Sequence, residues 1–203
     1  EDVLQKVSVA MTAEQWEQAV SLVRQAIQLN ADKSEMFYWT SVDKASSVGT
    51  KMAQELAFHY KTMRNYDKAY LFCKEVLQKN PNDVKWLAAC AETEVCRGKE
   101  KDALLTYQKV LSLDVNHLAA NIFVGNYYYL MAEQEKQQLM RDYKKISSPT
   151  RMQYARYKDG LSKLMTDGYG KAKEYLQNVI RQFPSAAVMK TLEKIKKMEA
   201  EMK

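Results

Sequence analysis

Apolar residues recur along most of this chain at steps of three and four, with polar and charged residues between them. That is the period of amphipathic α-helices. Val3, Leu4 and Val7 share one face of a first short helix. Thr12 and Gln15 have capping-box spacing and open a second, in which Trp16, Ala19, Val20, Val23, Ala26 and Ile27 share a stripe that ends near Asn30. Ser34 is placed to cap a helix through Phe37, Tyr38, Trp39 and Val42, and Ser46, Ser47 and Gly49 read as a loop after it. Phe37, Tyr38 and Trp39 are consecutive and so point around that helix, which leaves at least one as a self-association or partner patch unless the fold covers it. From Thr50 the pattern is regular: one helix runs from about Thr50 to Met63, a second, capped by Asn65, carries Tyr66, Ala69, Cys73, Val76 and Leu77 until Pro81, and the next pair has Leu87, Cys90, Ala91 and Val95, a turn at Gly98, then Ala103, Tyr107, Val110 and Leu111. A further pair spans Leu118–Tyr129 and Glu133–Ile146, and another has its turn at Gly168 to Gly170. Ser185 starts a last, lysine-rich helix to Met202.

A second regularity overlies the first. Ala57, Ala91 and Gly125 stand 34 residues apart, and Gly160 follows 35 later. Ala69 and Ala103 are also 34 apart, with Ala172 two beats and one residue beyond. Helices cross closely only where side chains are small, so these positions mark helix–helix contacts. A period of this length predicts stacked helix pairs sharing one elongated core. The fold class expected is therefore all-α, an α-α superhelix or solenoid of antiparallel helix pairs. It forms one domain over 1–203, with repeats near 1–33, 50–83, 84–117, 118–151 and 153–186. Residues 34–49 are an insertion, since Ala19 and Ala69 lie 50 apart, and 185–202 is a capping helix. Val7 stands where the other repeats have a small residue, which predicts a wider crossing there.

Composition narrows the function. Only nine residues are Gly or Pro, which favours helix over turn-rich β folds. No apolar run is long enough for a membrane-spanning helix. The net charge of +6 is concentrated in 141–158, where six basic residues face one acid. Tyr143, Tyr154 and Tyr157 interleave there with the basic residues, which admits nucleic acid or another anionic partner as an alternative function. Neither His59 nor His117 sits in a catalytic motif, and there is no Gly-rich phosphate loop. No catalytic residues, cofactor or metal site are expected, and the chain reads as no enzyme. Cys90 and Cys96 lack metal-ligand spacing. A Cys73–Cys90 bridge would join neighbouring helices, but buried free thiols are the expected state. The sequence begins at Glu1 without Met, which leans toward an exported or periplasmic protein.

The run Leu56-Ala57, Tyr60, Tyr66, Ala69, Val76-Leu77 and Pro81 resembles the tetratricopeptide repeat. So does Leu87, Ala91, Gly98, Ala103, Tyr107 and Val110-Leu111, and so does Gly160, Tyr169, Ala172, Leu176, Val179-Ile180 and Pro184. The resemblance implies a non-catalytic scaffold that binds a protein or peptide on a concave face lined by the first helix of each pair. By register those positions include Lys51, Gln54, Phe58 and Lys61, then Lys85, Ala88, Glu92 and Val95. They continue with Ala119, Ile122, Asn126 and Tyr129, then Tyr154, Tyr157, Leu161 and Leu164. Asn126 can bond a peptide backbone through its amide. The tyrosines either offer flat contact area or pack against the helix at Glu133–Ile146. Gln54, Phe58, Ala88, Glu92 and Phe123 occupy the places where some relatives carry a Lys/Asn/Arg set for a chaperone's terminal carboxylate, so binding of such tails is not expected.

Overall fold

Helix ends decide which helices pair in this protein. The computed structural model describes residues 2–201, and every regular element among them is helical. Two compact units divide the chain, Glu1–Thr106 and Tyr107–Lys203.

The first unit holds α1 (Val3–Thr12), α2 (Trp16–Leu29), α3 (Ala31–Ser41), α4 (Ser47–Thr62), α5 (Tyr66–Lys79), α6 (Val84–Cys96) and the start of α7 (Glu100–Leu113). Three of its turns are built alike. Glu14, Arg64 and Gly98 take left-handed backbone (φ 56°, 58° and 71°), and they keep the same spacing as the repeat contacts. After each, the next N–H reaches back to close the helix: Gln15 to Ala10, Asn65 to Tyr60 and Lys99 to Glu94, at 2.8–2.9 Å. This is the Schellman closure, and it turns α1 into α2, α4 into α5 and α6 into α7. Only Gly98 adopts that backbone without a Cβ penalty.

Three caps differ from the sequence expectation. Thr12 stays inside α1 and donates to the Ser8 carbonyl at 2.9 Å, so no capping box forms with Gln15, which caps α2 without a side-chain bond. Asn30, rather than Ser34, caps α3, because its Oδ1 accepts from Lys33 N at 2.9 Å. Ser34 is instead buried and donates to the Asn30 carbonyl. Ser46 caps α4 by accepting from Gly49 N, which places Gly49 in the helix rather than in a loop.

The insertion is thus an added helix, α3. Tyr38 is only 2% exposed, and its ring meets Trp39 and Phe72 edge-on at 4.9 and 5.5 Å. Phe37 and Trp39 are half-buried, and Lys44 lies over the Trp39 ring. Polar contacts fix the helix as well. The Tyr60 hydroxyl (2.5 Å) and the Lys68 ammonium (2.7 Å) both donate to Glu35 Oε2. Burial pushes the Glu35 carboxyl up, but the bonds from Lys68 and Tyr60 outweigh it and hold the group below its ordinary value. Burial and the Glu35 bond push the Tyr60 hydroxyl up to about 12.

The second unit contains the rest of α7, α8 (Leu118–Lys144), α9 (Arg151–Leu164), a π-helical turn (Met165–Gly170), α10 (Lys171–Gln182) and α11 (Ala186–Glu201). Met202, the expected end of the last helix, lies outside the described residues. Two expected turns are absent here. The sequence reads as two helix pairs, 118–151 and 153–186, but α8 runs unbroken for 27 residues through the first expected reversal. Leu130-Met131-Ala132-Glu133-Gln134 is a run of good helix formers with no glycine or proline. Ala132 stands 34 residues after Gly98 but has no left-handed backbone. At Gly168 to Gly170 the chain stays helical as well, and α9, the π turn and α10 follow one another in right-handed backbone.

The result is a long antiparallel hairpin held by close contacts. A Cβ on Gly125 would lie 2.8 Å from Leu176 Cδ2, one on Gly168 2.7 Å from Ala132 Cβ, and one on Gly160 3.2 Å from Leu139 Cδ1. The α8 members of these contacts, Gly125, Ala132 and Leu139, are seven residues apart, whereas Gly160, Gly168 and Leu176 are eight apart. The π turn lies inside that longer stretch, where i→i+5 bonding takes up extra residues. Ile195 of α11 closes the far side against Ala132, Leu164, Tyr169 and Ala172.

Ala19, Ala69, Ala103 and Ala172 are all fully buried, as their spacing predicts. Gly125→Val would press on buried Leu176 and should cost about 2 kcal/mol in urea unfolding. Gly160→Ala meets only the mobile end of Leu139 and gains helix propensity, so it should be neutral or stabilising. Equal losses for the two would contradict the contact assignment. A second prediction concerns pH. Because folding lowers the Glu35 pKa, its contribution is present above the ordinary value of 4.5 and fades as pH falls through the folded value. Denaturant midpoints of wild type and Glu35→Gln should therefore differ at about pH 6 and converge toward about pH 3.

Candidate partner-binding groove

Lys51, Gln54, Phe58 and Lys61 are spaced by three, four and three residues, so they form one stripe on α4. Lys85 and Trp86 sit in the first turn of α6, fixed by the Asp83 cap on Trp86 N at 3.1 Å. Together these side chains line a groove of about 410 Å³ in the first unit, with Ala57 and Cys73 at its floor. Arg24, Glu55 and Ala89 complete it.

Its charges are unbalanced. Arg24 pairs with Glu55 at 2.7 Å, and Lys61 pairs with Glu92 at 2.5 Å. Both pairs are largely exposed, so they order the walls more than they stabilise the fold. Among the described residues no ion pair reaches Lys51 or Lys85. Beside them Phe58 is 68% exposed. The groove thus offers an aromatic face flanked by two unneutralised ammonium groups.

Glu92, from the sequence-derived set, stands at the rim through its bond to Lys61. The other members lie in the second unit and take different roles. Ile122 packs against Leu176, Val179 and Val188 in a core. Tyr129 meets buried Tyr169 edge-on at 6.0 Å. Tyr157 stacks on Tyr143 at 4.3 Å, and Tyr154 lies 6.3 Å from the same ring. Asn126 is half-buried on α8. Tyr154 and Tyr157 therefore pack against the C-terminal end of α8, which is one of the two roles open to the tyrosines from sequence. Arg24, Glu55, Trp86 and Ala89 lie outside the sequence-derived set, because register along one helix does not show which neighbours of a first-helix stripe lean into the groove. The i,i+1 position of Trp86 beside Lys85 was the available signal.

Cys73 and Cys90 are buried free thiols, and Cys96 is exposed. Burial, the largest effect, pushes Cys73 up to about 11 and Cys90 up to about 12, so both stay protonated near neutrality and are poor nucleophiles. In the basic stretch Arg141 donates to Gln138 and Lys145 pairs with Asp142 at 3.0 Å, while Tyr143 and Tyr157 stack on each other. No feature there favours a nucleic-acid partner. Among the described residues no helix is long and apolar enough to cross a membrane.

The chain is similar over 99% of its length to a Bacteroides ovatus protein of known crystal structure, provisionally named a protein binding protein. The two share 62% identity, with 98% of that chain covered and a TM-score of 0.89. A tetratricopeptide repeat protein from Parabacteroides merdae matches at 13% identity, covering 98% of this chain and 72% of its own, with a TM-score of 0.44. YrrB, a repeat protein of the same kind with an unusual peptide-binding site, matches at 14% identity over 96% and 90% of the two chains, with a TM-score of 0.41. Both of these likenesses are too loose to bear on individual residues. No protein-family model and no curated protein matches the chain.

Proposed function

We propose that this chain, whose repeat pattern resembles the tetratricopeptide repeat, is a non-catalytic scaffold holding a protein or peptide in the groove of its first unit. The Bacteroides ovatus relative, provisionally named a protein binding protein, supports the general reading. One observation carries the specific one: exposed Phe58 shares a groove with Lys51 and Lys85, which form no ion pair among the described residues.

Each group has a definite role in this reading. Phe58 buries an apolar side chain of the partner and supplies most of the contact area. Lys51 and Lys85 attract its acidic groups and speed the encounter. The Gln54 amide donates to and accepts from its backbone. All four project from helices whose inner faces hold the core, so little is lost in ordering the receptor.

Phe58→Ala and the double variant Lys51→Glu/Lys85→Glu should both melt like wild type, since the three side chains are exposed. Affinity capture with quantitative mass spectrometry should show partners retained by wild type falling about tenfold with either variant, equivalent to ~1.4 kcal/mol. The lysine variant should lose the salt dependence of capture. An unchanged set of captured proteins for both variants would refute the groove as the binding site.

A further inference from the structure

A second furrow lies between α8 and the helix that returns along it. It encloses about 590 Å³ wholly within the second unit. Ala132 and Gly160 form its floor, and Met131, Leu139 and Leu164 give it apolar walls. Met131 is 38% exposed, although it faces this apolar channel. The rim has the opposite sign to the chain as a whole. Glu135, Asp142 and Asp167 line it against a single base, Lys163. Asp142 is engaged by Gln138 and Lys145, but Glu135 and Asp167 have no ion pair among the described residues.

The shape selects the kind of occupant. Both walls are helices whose backbone groups bond internally, so no free edge exists to which an extended strand can add. From Tyr127 to Asp142 the furrow follows sixteen residues of α8, a length of roughly 22 Å at about 1.5 Å per residue. A third helix of about four turns fits such a channel. The chain's own last helix is not free to do so, because Ile195 is fully buried in the core and Lys173 ties Glu199 at 2.9 Å. We propose that this furrow is a second docking site, distinct from the first-unit groove, for an amphipathic helix of another protein with Lys or Arg flanking an apolar stripe. The apolar stripe covers Met131, Leu139 and Leu164, and the basic flanks meet Glu135 and Asp167.

The test uses a fluorescein-labelled fifteen-residue peptide of Leu and Lys at helical spacing, and its counterpart with Glu for Lys, read by anisotropy against the full chain. The Leu/Lys peptide should bind wild type and weaken at least tenfold on Glu135→Lys/Asp167→Lys. The Leu/Glu peptide should gain on that variant, and Phe58→Ala should leave Leu/Lys binding unchanged. Both rim residues are exposed, so a matching melting curve confirms that the double variant folds. No binding of the Leu/Lys peptide to wild type, or equal binding to both rim forms, would overturn the proposal. Loss of binding with Phe58→Ala would overturn it too, by placing the peptide in the first groove. A concentration-dependent dimer of wild type that the rim substitutions abolish would overturn it in favour of a second copy.

Discussion

Two helices in this protein meet closely only where one of them gives up its bulk. Ala19, Ala69, Ala103 and Ala172 are fully buried at such points, and Gly125 leaves no room for a Cβ beside Leu176. The rest of the structure follows from where these gaps fall and from which helix is brought against each. The gap sets the contact, but the chain reversal sets the partner. In the first unit, left-handed residues at Glu14, Arg64 and Gly98 reverse the chain between α1 and α2, α4 and α5, and α6 and α7. In the second unit nothing reverses the chain within α8, so Gly125 is filled by Leu176, fifty-one residues away. A repeat spacing shared by both units thus produces short pairs in one and a long hairpin in the other.

That distinction marks the limit of what the sequence reveals. Helix periodicity, the buried alanines and the stripe of Lys51, Gln54, Phe58 and Lys61 are all legible, because each depends on side-chain spacing along one helix. The family likeness is legible for the same reason. The missing reversals are not. Ala132 is a good helix former with no special backbone need, and continuing the helix there costs nothing locally. Gly168 and Gly170 permit a turn but do not require one, and packing of Gly168 on Ala132 decides in favour of a helix. Caps misled for a similar reason. Thr12 and Ser34 both have hydroxyls suited to capping, yet each bonds to a carbonyl four residues earlier and stays within its helix.

The polar network of α3 shows how an insertion is accommodated without loosening the repeat. Glu35 accepts from Tyr60 and Lys68, residues that belong to the regular helices α4 and α5, while Tyr38 fills the space beside Phe72. The added helix therefore braces the elements that carry the groove stripe. Rigid walls suit a binding function. The buried thiols, held protonated, add no reactivity to it.

The continuous helix from α9 to α10 is the most exposed consequence of this account. Arg156 and Arg181 lie outside the core, on either side of the π turn. Spin labels at these two positions, with Cys73, Cys90 and Cys96 replaced, report the geometry directly by pulsed electron resonance. An unbroken helix puts the two backbones roughly 37 Å apart, from twenty-five residues at about 1.5 Å each. A separation near 10 Å, the spacing of two helices packed side by side, would mean that the chain reverses at Gly168 to Gly170 after all.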